Sequence, residues 1–281
     1  MQATRWTRLA ALALALTLIW ACGPAIEDDF VERMAHEHRD DSPETGAADR
    51  EAPVSEGAAV TYARLGDLEI AGYLARPAVA GGSAVLVIHE WWGLNDNIRA
   101  MARRLADEGH LALAVDLYQG EVAEDRDTAR MLATRARDQT ERGEENMRQA
   151  IAYLRDELGA EKIGVIGWCF GGGWSLATAL NEPRGIDATV IYYGRLVTDE
   201  EELAPLSSPV LGIFGALDGG IPVATVREFE AALDRLGKEA AIHVYEGADH
   251  AFANPTGTRY QAEAAEDAWA RTVAFFAEHL G

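Results

Sequence analysis

A cysteine in a glycine-rich turn is the residue of this chain best suited to covalent chemistry. Cys169 stands in the stretch Gly167-Trp168-Cys169-Phe170-Gly171, where a predicted strand runs straight into a predicted helix. A glycine two residues to either side is typical of a nucleophile elbow, a strained turn that exposes its central side chain. The N–H groups and the dipole at the start of the helix would favour the thiolate. The motif by itself is equally compatible with a buried structural cysteine.

An acid and a base follow the cysteine in the chain order that a nucleophile–acid–base triad on such an elbow requires. Asp218 lies in a glycine-containing loop after one predicted strand, and His250 lies in the loop after the next strand. Taken singly, they could be a turn aspartate and a surface histidine. Both loops, however, fall on the sheet edge where α/β proteins bind ligands. Asp249 competes for the role of the acid, but it adjoins His250 and is badly placed to reach the ring.

Other chemistries have weaker support in the sequence. Gly171-Gly172-Gly173 could cradle a phosphate, but Leu176 occupies the sixth position of the G-x-G-x-x-G pattern and no Walker lysine follows. His36 and His38 are two residues apart and would lie on different faces of a helix, which argues against a metal site. His89-Glu90 lacks the second histidine of a zinc motif. We therefore expect neither a metal nor an organic cofactor.

Strand and helix patterns alternate from about residue 58 to the end, which predicts one α/β domain with a mostly parallel sheet covered on both faces. The predicted strands are Ala59–Arg64, Leu68–Ala75, Ala84–Ile88, Leu111–Val115, Lys162–Gly167, Ala188–Tyr193, Pro209–Phe214 and Ala241–Tyr245. The predicted helices are Asn97–Glu108, 123–138, 142–158, Trp174–Leu180, Val223–Leu236 and Tyr260–His279. No internal repeat and no boundary of a second domain is visible.

The first 22 residues resemble the export signal of a bacterial lipoprotein. Arg5 and Arg8 precede an apolar run of twelve residues, Leu9–Trp20, which is short for a transmembrane helix. The run ends in Ile19-Trp20-Ala21-Cys22, which resembles a lipobox, so we expect Cys22 to be lipidated. An ordinary cleaved signal and an uncleaved anchor are the alternatives. The expected location is a bacterial membrane, on its periplasmic or cell-surface face.

Residues 23–57 contain eleven acidic residues against three arginines, which predicts a disordered acidic tether. The formal charge of the chain is −21, and such a charge repels nucleic acid and anionic lipid, so neither is an expected partner. Membrane contact would come only from the lipid anchor, and we expect a monomer. With Cys22 lipidated, Cys169 is the one cysteine left in the mature domain, which excludes an internal disulfide.

Several segments together are similar to the dienelactone hydrolase family, over roughly residues 60–280. They are His89-Glu90-Trp91-Trp92-Gly93-Leu94-Asn95 with Ile98-Arg99, Val115-Asp116-Leu117-Tyr118, Gly167-Trp168-Cys169-Phe170-Gly171-Gly172, Tyr192-Tyr193-Gly194 and Asp249-His250-Ala251-Phe252. The resemblance implies an α/β-hydrolase fold and an ester or lactone hydrolase.

The same resemblance implies that Glu90 lies beside the nucleophile. A carboxylate there would keep the resting thiol protonated, because two neighbouring anions repel, and it could take the thiol proton when substrate binds. A strand-end cap or an ion pair with Arg99 is the alternative role for Glu90. The oxyanion hole would be formed by the backbone N–H groups of Phe170 and Trp91.

The residues that would bind substrate are less clearly marked. Family members that act on dienelactone hold its carboxylate with arginines, one of them shortly after the histidine motif, where this chain has Asn254. Arg126 or Arg130 could supply another arginine. Trp92, together with Trp91 and Trp168, could line an apolar acyl pocket or belong to the core.

The sequence therefore predicts a hydrolase of carboxylic esters or lactones that works through an acyl-cysteine intermediate. Cys169 would attack, His250 would transfer the proton, and Asp218 would orient His250. A hydrolase of larger esters or thioesters is one alternative. A lipid-tethered binding protein with an inactive hydrolase pocket is the other.

Overall fold

Residues 33–34, 36, 53–79 and 81–281 are described in the computed structural model, and within them one eight-stranded sheet organises the chain. The strands are β1 (Gly57–Leu65), β2 (Leu68–Ala75), β3 (Ser83–Ile88), β4 (Leu111–Val115), β5 (Lys162–Trp168), β6 (Ala188–Tyr192), β7 (Val210–Gly215) and β8 (Ala240–Tyr245). Their order is β1-β2-β4-β3-β5-β6-β7-β8. β2 is antiparallel to β1 and β4, and every other neighbouring pair is parallel.

Helices cover both faces of this sheet. They are α1 (Asp96–Asp107), α2 (Arg126–Asp138), α3 (Thr140–Ala152), α4 (Phe170–Asn181), α5 (Glu200–Leu203), α6 (Val223–Arg235) and α7 (Ala262–Leu280). Apolar residues of α1 and α7 form one buried cluster with the sheet, and those of α2 to α6 form another. On β3, Leu86 and Ile88 face one cluster while Val85 and Val87 face the other, which explains its uninterrupted apolar sequence.

This architecture confirms the predicted α/β class with its mostly parallel, doubly covered sheet. Two details differ from the sequence-based expectation. α4 begins at Phe170, four residues before the predicted start at Trp174, because Gly171, Gly172 and Gly173 are helical despite their low propensity. The short helix α5 was not predicted. α3 continues through a π-helical turn, Tyr153–Glu157, to the end of the segment expected to be helical.

Strained backbone collects at the edge of the sheet where the parallel strands end. Among the described residues, four non-glycine residues have a positive φ: Gln119, Cys169, Tyr193 and Ala251. They follow β4, β5, β6 and β8, respectively, so all four stand in loops at the carboxyl edge. Such conformations cost energy and persist where the surrounding structure enforces them, often at functional sites. The carboxyl edge of the sheet therefore has the strained backbone that is typical of a functional site.

The predicted signal, residues 1–22 with Cys22, lies outside the described residues, as does most of the predicted tether. Of that tether, Arg33, Met34 and His36 are helical, and Met34 is buried. Among the residues that the structure describes, no helix is both long and apolar enough to cross a membrane.

Candidate active site

Cys169 occupies the sharp turn between β5 and α4. Its φ of 55° and ψ of −115° are strained for a residue with a side chain. A Cβ on Gly167 would overlap the backbone of Gly171, so the turn requires glycine at that position. The N–H of Cys169 donates to the carbonyl of Tyr192 at 3.0 Å, which ties the turn to the end of β6. The cysteine is 5 % exposed and lies at the start of α4, as the elbow motif predicts.

Two further glycines let the first turn of α4 pack directly on the sheet. A Cβ on Gly171 would lie 2.6 Å from the carbonyl oxygen of His89, at the end of β3. A Cβ on Gly172 would lie 2.6 Å from the carbonyl oxygen of Tyr192, at the end of β6. Real Cβ contacts are essentially never that short, so these glycines fix Cys169, at the end of β5, between the ends of the two strands that flank β5.

Asp218 and His250 form a buried hydrogen-bonded pair. The Nδ1 of His250 lies 2.7 Å from Oδ2 of Asp218 and donates to it. The other carboxylate oxygen accepts the backbone N–H groups of Gly220 and Ile221, each at 2.8 Å. These two bonds fix the carboxylate so that its free oxygen faces the imidazole. Asp249 instead accepts the backbone N–H of His250 at 2.6 Å, so Asp218 is the aspartate that holds the ring.

The charges around this pair favour an imidazolium. Burial alone would lower the pKa of His250, but the Asp218 carboxylate, and after it the Cys169 thiolate, raise that pKa well above its usual range. Because Cys169 contributes to the raised pKa of His250, its sulfur lies close to the imidazole that Asp218 holds. Burial would raise the pKa of Asp218, but the charge and hydrogen bond of His250 lower it, so this carboxyl remains ionised.

Glu90 follows β3 and has a different partner. It is 3 % exposed, and its Oε2 accepts the Nδ2 of Asn254 at 2.7 Å. Asn254 Oδ1 accepts both the N–H and the hydroxyl of Thr256, at 2.9 and 2.8 Å, which fixes the orientation of the amide. Arg99, the alternative partner considered for Glu90, pairs with Asp96 at 2.8 Å. Asn254 was predicted among the substrate-binding residues, and the structure places it as the hydrogen-bond donor of Glu90.

His89 fixes the backbone next to Glu90, a role that the sequence did not suggest. Its Nδ1 donates to the carbonyl of Glu90 at 2.6 Å, and its Nε2 accepts the N–H of Leu117 at 3.1 Å. Burial lowers the pKa of His89, which suits a neutral ring with one donor and one acceptor nitrogen. The ring therefore connects the loop after β3 to the loop after β4.

Tyr118, in the loop after β4, brings a polar group towards the cysteine. Its hydroxyl is buried and has no hydrogen-bond partner among the described residues. Burial, and next the negative charge of Cys169, raise the pKa of Tyr118 well above its usual range, so the hydroxyl keeps its proton. The Asp116 carboxylate holds this loop by accepting the N–H groups of Tyr118, at 2.7 Å, and of Gly120. A buried, protonated hydroxyl without a partner is available to donate to a bound molecule.

The predicted oxyanion-hole residues occupy two adjacent loops at this edge. Phe170 is the first residue of α4, so its N–H has no acceptor within the helix. Trp91 lies in the turn after β3, which is closed by a bond from the N–H of Gly93 to the carbonyl of Glu90 at 3.1 Å. The ring of Phe170 stacks on His89 with a centroid distance of 5.8 Å, which connects the two loops.

Of the other residues expected to contact substrate, the tryptophans are buried and the two arginines lie on α2. Trp92 is 3 % exposed and packs on Trp91 with ring centroids 5.0 Å apart. Trp168 packs on a tyrosine of β6 and belongs to the core. Arg126 and Arg130 lie on α2, where Arg126 is half-buried and Arg130 is exposed.

A third arginine of α2, Arg135, contacts the loop after β4. Arg135 donates to the carbonyl of Tyr118 at 3.3 Å and pairs with Glu121 at 2.6 Å. Within the described part of the chain, no group of three or more histidine, cysteine or acidic side chains could hold a metal ion.

Comparisons with known proteins show the family to which this chain belongs. Residues 70–280 match the profile of the dienelactone hydrolase family. A protein of Saccharolobus solfataricus named "Putative carboxymethylenebutenolidase" is 31 % identical over 68 % of this chain and 88 % of its own length. A protein of the same name from Methylorubrum extorquens is 33 % identical over 75 % of this chain and 77 % of its own length.

Among solved structures, a "Putative Dienelactone Hydrolase" from Klebsiella pneumoniae superposes with a TM-score of 0.72 at 30 % identity, covering 80 % of this chain and 99 % of that one. The residues that match the family profile include most of β2, all of β3 to β8, and Cys169, Asp218 and His250. The chain is therefore a hydrolase that belongs to the dienelactone hydrolase family.

Proposed function

We propose that this protein hydrolyses uncharged carboxylic esters or lactones through an acyl-cysteine intermediate. The observation that carries the proposal is the buried hydrogen-bonded pair of His250 and Asp218, which stands with the buried Cys169 at the carboxyl edge of the sheet. The family membership supports the reaction class, and the local geometry supports the residue roles.

In the first half of the reaction, the Cys169 thiolate attacks the carbonyl carbon and forms a tetrahedral intermediate. The N–H groups of Phe170 and Trp91 stabilise its oxyanion, and each such donor contributes about 3 kcal/mol to lowering a barrier of this kind. His250, as the imidazolium, donates its proton to the leaving alkoxide when the C–O bond breaks. The products of this half are the free alcohol and the thioester on Cys169.

In the second half, neutral His250 takes a proton from water, and the resulting hydroxide attacks the thioester. Collapse of the second tetrahedral intermediate breaks the C–S bond, releases the carboxylic acid and returns the sulfur to Cys169. Asp218 stays ionised throughout and holds the Nδ1 proton of His250, so that Nε2 faces the reacting atoms.

Glu90 controls the ionisation of the thiol in this scheme. Its carboxylate stands at the end of β3, beside the strand that delivers Cys169, and the Asn254 amide fixes its orientation. A nearby carboxylate disfavours the thiolate in the resting protein and can accept the thiol proton when substrate enters. A protonated thiol resists oxidation, which suits a lone cysteine in an exported protein.

The preference for uncharged substrates follows from the partner of Glu90. After the histidine motif, where the family resemblance implies an arginine, this chain has Asn254, whose neutral amide is bound to Glu90 and Thr256. A substrate carboxylate would therefore meet a neutral amide beside a buried carboxylate, and like charges repel. Esters with bulky acyl or thioester groups are the second candidate class, supported by the buried tryptophans Trp91 and Trp92 at this edge.

We also propose that Cys22 anchors the protein by lipid to a bacterial membrane, on the periplasmic or cell-surface side. The support is the lipobox-like Ile19-Trp20-Ala21-Cys22 after a short apolar run. We propose a monomeric protein that needs no cofactor.

The test is hydrolysis of p-nitrophenyl acetate by the wild type beside Cys169→Ala, with a panel of neutral and carboxylate-bearing esters and dienelactone. We expect the wild type to hydrolyse the neutral esters and the variant to lose this activity by at least about 10³-fold. Equal rates for the two proteins across the panel would refute the hydrolase and favour an inactive binding protein.

A further inference from the structure

A methionine from the N-terminal part of the chain is packed next to the proposed active site. Met34 lies in a segment rich in acidic residues, yet only 6 % of its surface is exposed. It belongs to the same continuous buried cluster as Trp168, Cys169, Tyr193 and Phe252. A side chain far from the elbow in sequence is thus part of the apolar packing around the nucleophile.

The direct neighbour of Met34 is the loop that carries the catalytic acid. A Cβ on Gly220 would lie 2.6 Å from Met34 Sδ and 3.3 Å from Asp218 Oδ1. Gly220 therefore stands between the thioether and the carboxylate, and its N–H binds the same carboxylate oxygen at 2.8 Å. Any larger residue at this position would push the methionine away from the loop.

Met34 precedes the region that this chain shares with its family, which begins at residue 70. The contact therefore involves a residue outside the part of the chain that matches the family profile. Methionine suits such a place, because its flexible thioether fills irregular gaps and adds no polar group of its own.

We propose that Met34 is a positioning residue, which covers the 218–221 loop and thereby holds His250 in the orientation that acyl transfer requires. This inference rests on the proposed hydrolase function. Its physical basis is that a buried charged hydrogen bond is stronger and better oriented when water is kept away. With Met34 removed, water would reach the carboxylate and the loop would gain freedom.

The test compares full-length Met34→Ala and Met34→Leu with Val54→Ala. Val54 also precedes the family region, but its side chain is 88 % exposed. We expect Met34→Ala to lower kcat on p-nitrophenyl acetate by about tenfold, as small misplacements of catalytic groups do, with KM within about twofold of the wild type. Met34→Leu should restore most of the loss, and Val54→Ala should behave as the wild type.

Hydrogen exchange of the Gly220 and Ile221 amides gives a readout that does not depend on turnover. We expect both amides to exchange faster in Met34→Ala than in the wild type or in Val54→Ala. If the wild type lacks esterase activity, the proposed function fails, while the exchange rates still test the contact. Unchanged exchange in Met34→Ala would overturn the contact. Faster exchange with an unchanged kcat, or an effect on KM alone, would overturn the positioning role.

Discussion

At the scale of single residues, the site contains two buried carboxylates, and the two have different hydrogen-bond partners. Asp218 faces an imidazole and two backbone N–H groups, whereas Glu90 faces the neutral amide of Asn254. Carboxylates in different surroundings can take different parts in one reaction. In our proposal Asp218 keeps His250 charged and oriented, and Glu90 sets the protonation of Cys169.

This division predicts the pH dependence of stability. Because the pKa of folded His250 is raised, the stabilisation from its protonated form is complete below its unfolded value of about 6.5. It is lost as the pH rises through the folded pKa, so the free energy of unfolding should fall in the alkaline range. In Asp218→Asn the free energy of unfolding should fall less over this pH range, because an asparagine carries no charge to raise the pKa of His250.

Urea unfolding at a series of pH values checks this, with Asp249→Asn as the control that leaves the ring contact intact. We expect Asp218→Asn also to lower kcat by up to about 10⁴-fold, because the ring loses its orienting acceptor. If the free energy of unfolding changes equally with pH in the wild type and in Asp218→Asn, the charged pair of Asp218 and His250 is refuted.

Tyr118→Phe is a second test at this scale. The variant removes a buried hydroxyl without a partner, so the free energy of unfolding should stay equal or rise by roughly 1 kcal/mol. If the hydroxyl donates to the substrate in the transition state, kcat/KM should fall by about 10-fold or more. Urea unfolding and ester kinetics on the same sample measure both effects. A variant with wild-type kcat/KM would show that this hydroxyl takes no part in the reaction.

At the scale of elements, the start of α4 is the feature on which the nucleophile depends. Gly171→Ala would press a Cβ against the His89 carbonyl and displace the first turn of the helix. We expect this variant to lose about 1–3 kcal/mol of stability and nearly all activity. In Gly173→Ala, on the same helix, the added Cβ would lie 3.3 Å from its nearest neighbour, the Cβ of Arg195. This variant should change the free energy of unfolding by less than about 1 kcal/mol.

Thermal unfolding and ester hydrolysis of the two glycine variants check this expectation. Comparable activities of Gly171→Ala and Gly173→Ala would contradict the requirement for a close approach of α4 to β3.

The sequence predicts the strands and the long helices well because each has its own local pattern. Leu111–Val115 was predicted at its observed bounds, since a run of apolar residues ends at a charged one. Contacts between distant parts of the chain leave no such pattern. Asn254 and Glu90 are 164 residues apart, so their bond could not be read from either segment. The sequence alone instead suggests a substrate-binding role for Asn254, because the family resemblance implies an arginine at that position.

At the scale of the whole molecule, the strong negative charge of the chain determines which kind of membrane anchor it could use. A chain with a formal charge of −21 is repelled by anionic membranes, so acyl chains and not basic residues would have to hold it there. Met34 is twelve positions after Cys22 in the chain, which limits the distance between them to about 40 Å. A lipidated Cys22 would therefore keep the active site within a short distance of the bilayer.

The anchor is tested by Cys22→Ala. We expect the wild type to incorporate labelled palmitate and to sediment with membranes, and the variant to lose both properties while it keeps its esterase activity. Cys169→Ala, which removes the other cysteine, should still be labelled. Palmitate incorporation that persists in Cys22→Ala would refute the lipobox.

The central claim is that the acyl group passes through the sulfur of Cys169. The most direct measurement is rapid acid quenching of wild type during turnover of p-nitrophenyl acetate, followed by mass mapping of its peptides. We predict an acetyl group on the peptide that contains Cys169, absent from Cys169→Ala and present at a higher level in His250→Gln, where attack of water on the thioester is slow. Turnover without an acetyl group on that peptide, at a rate that Cys169→Ala retains, would contradict the account.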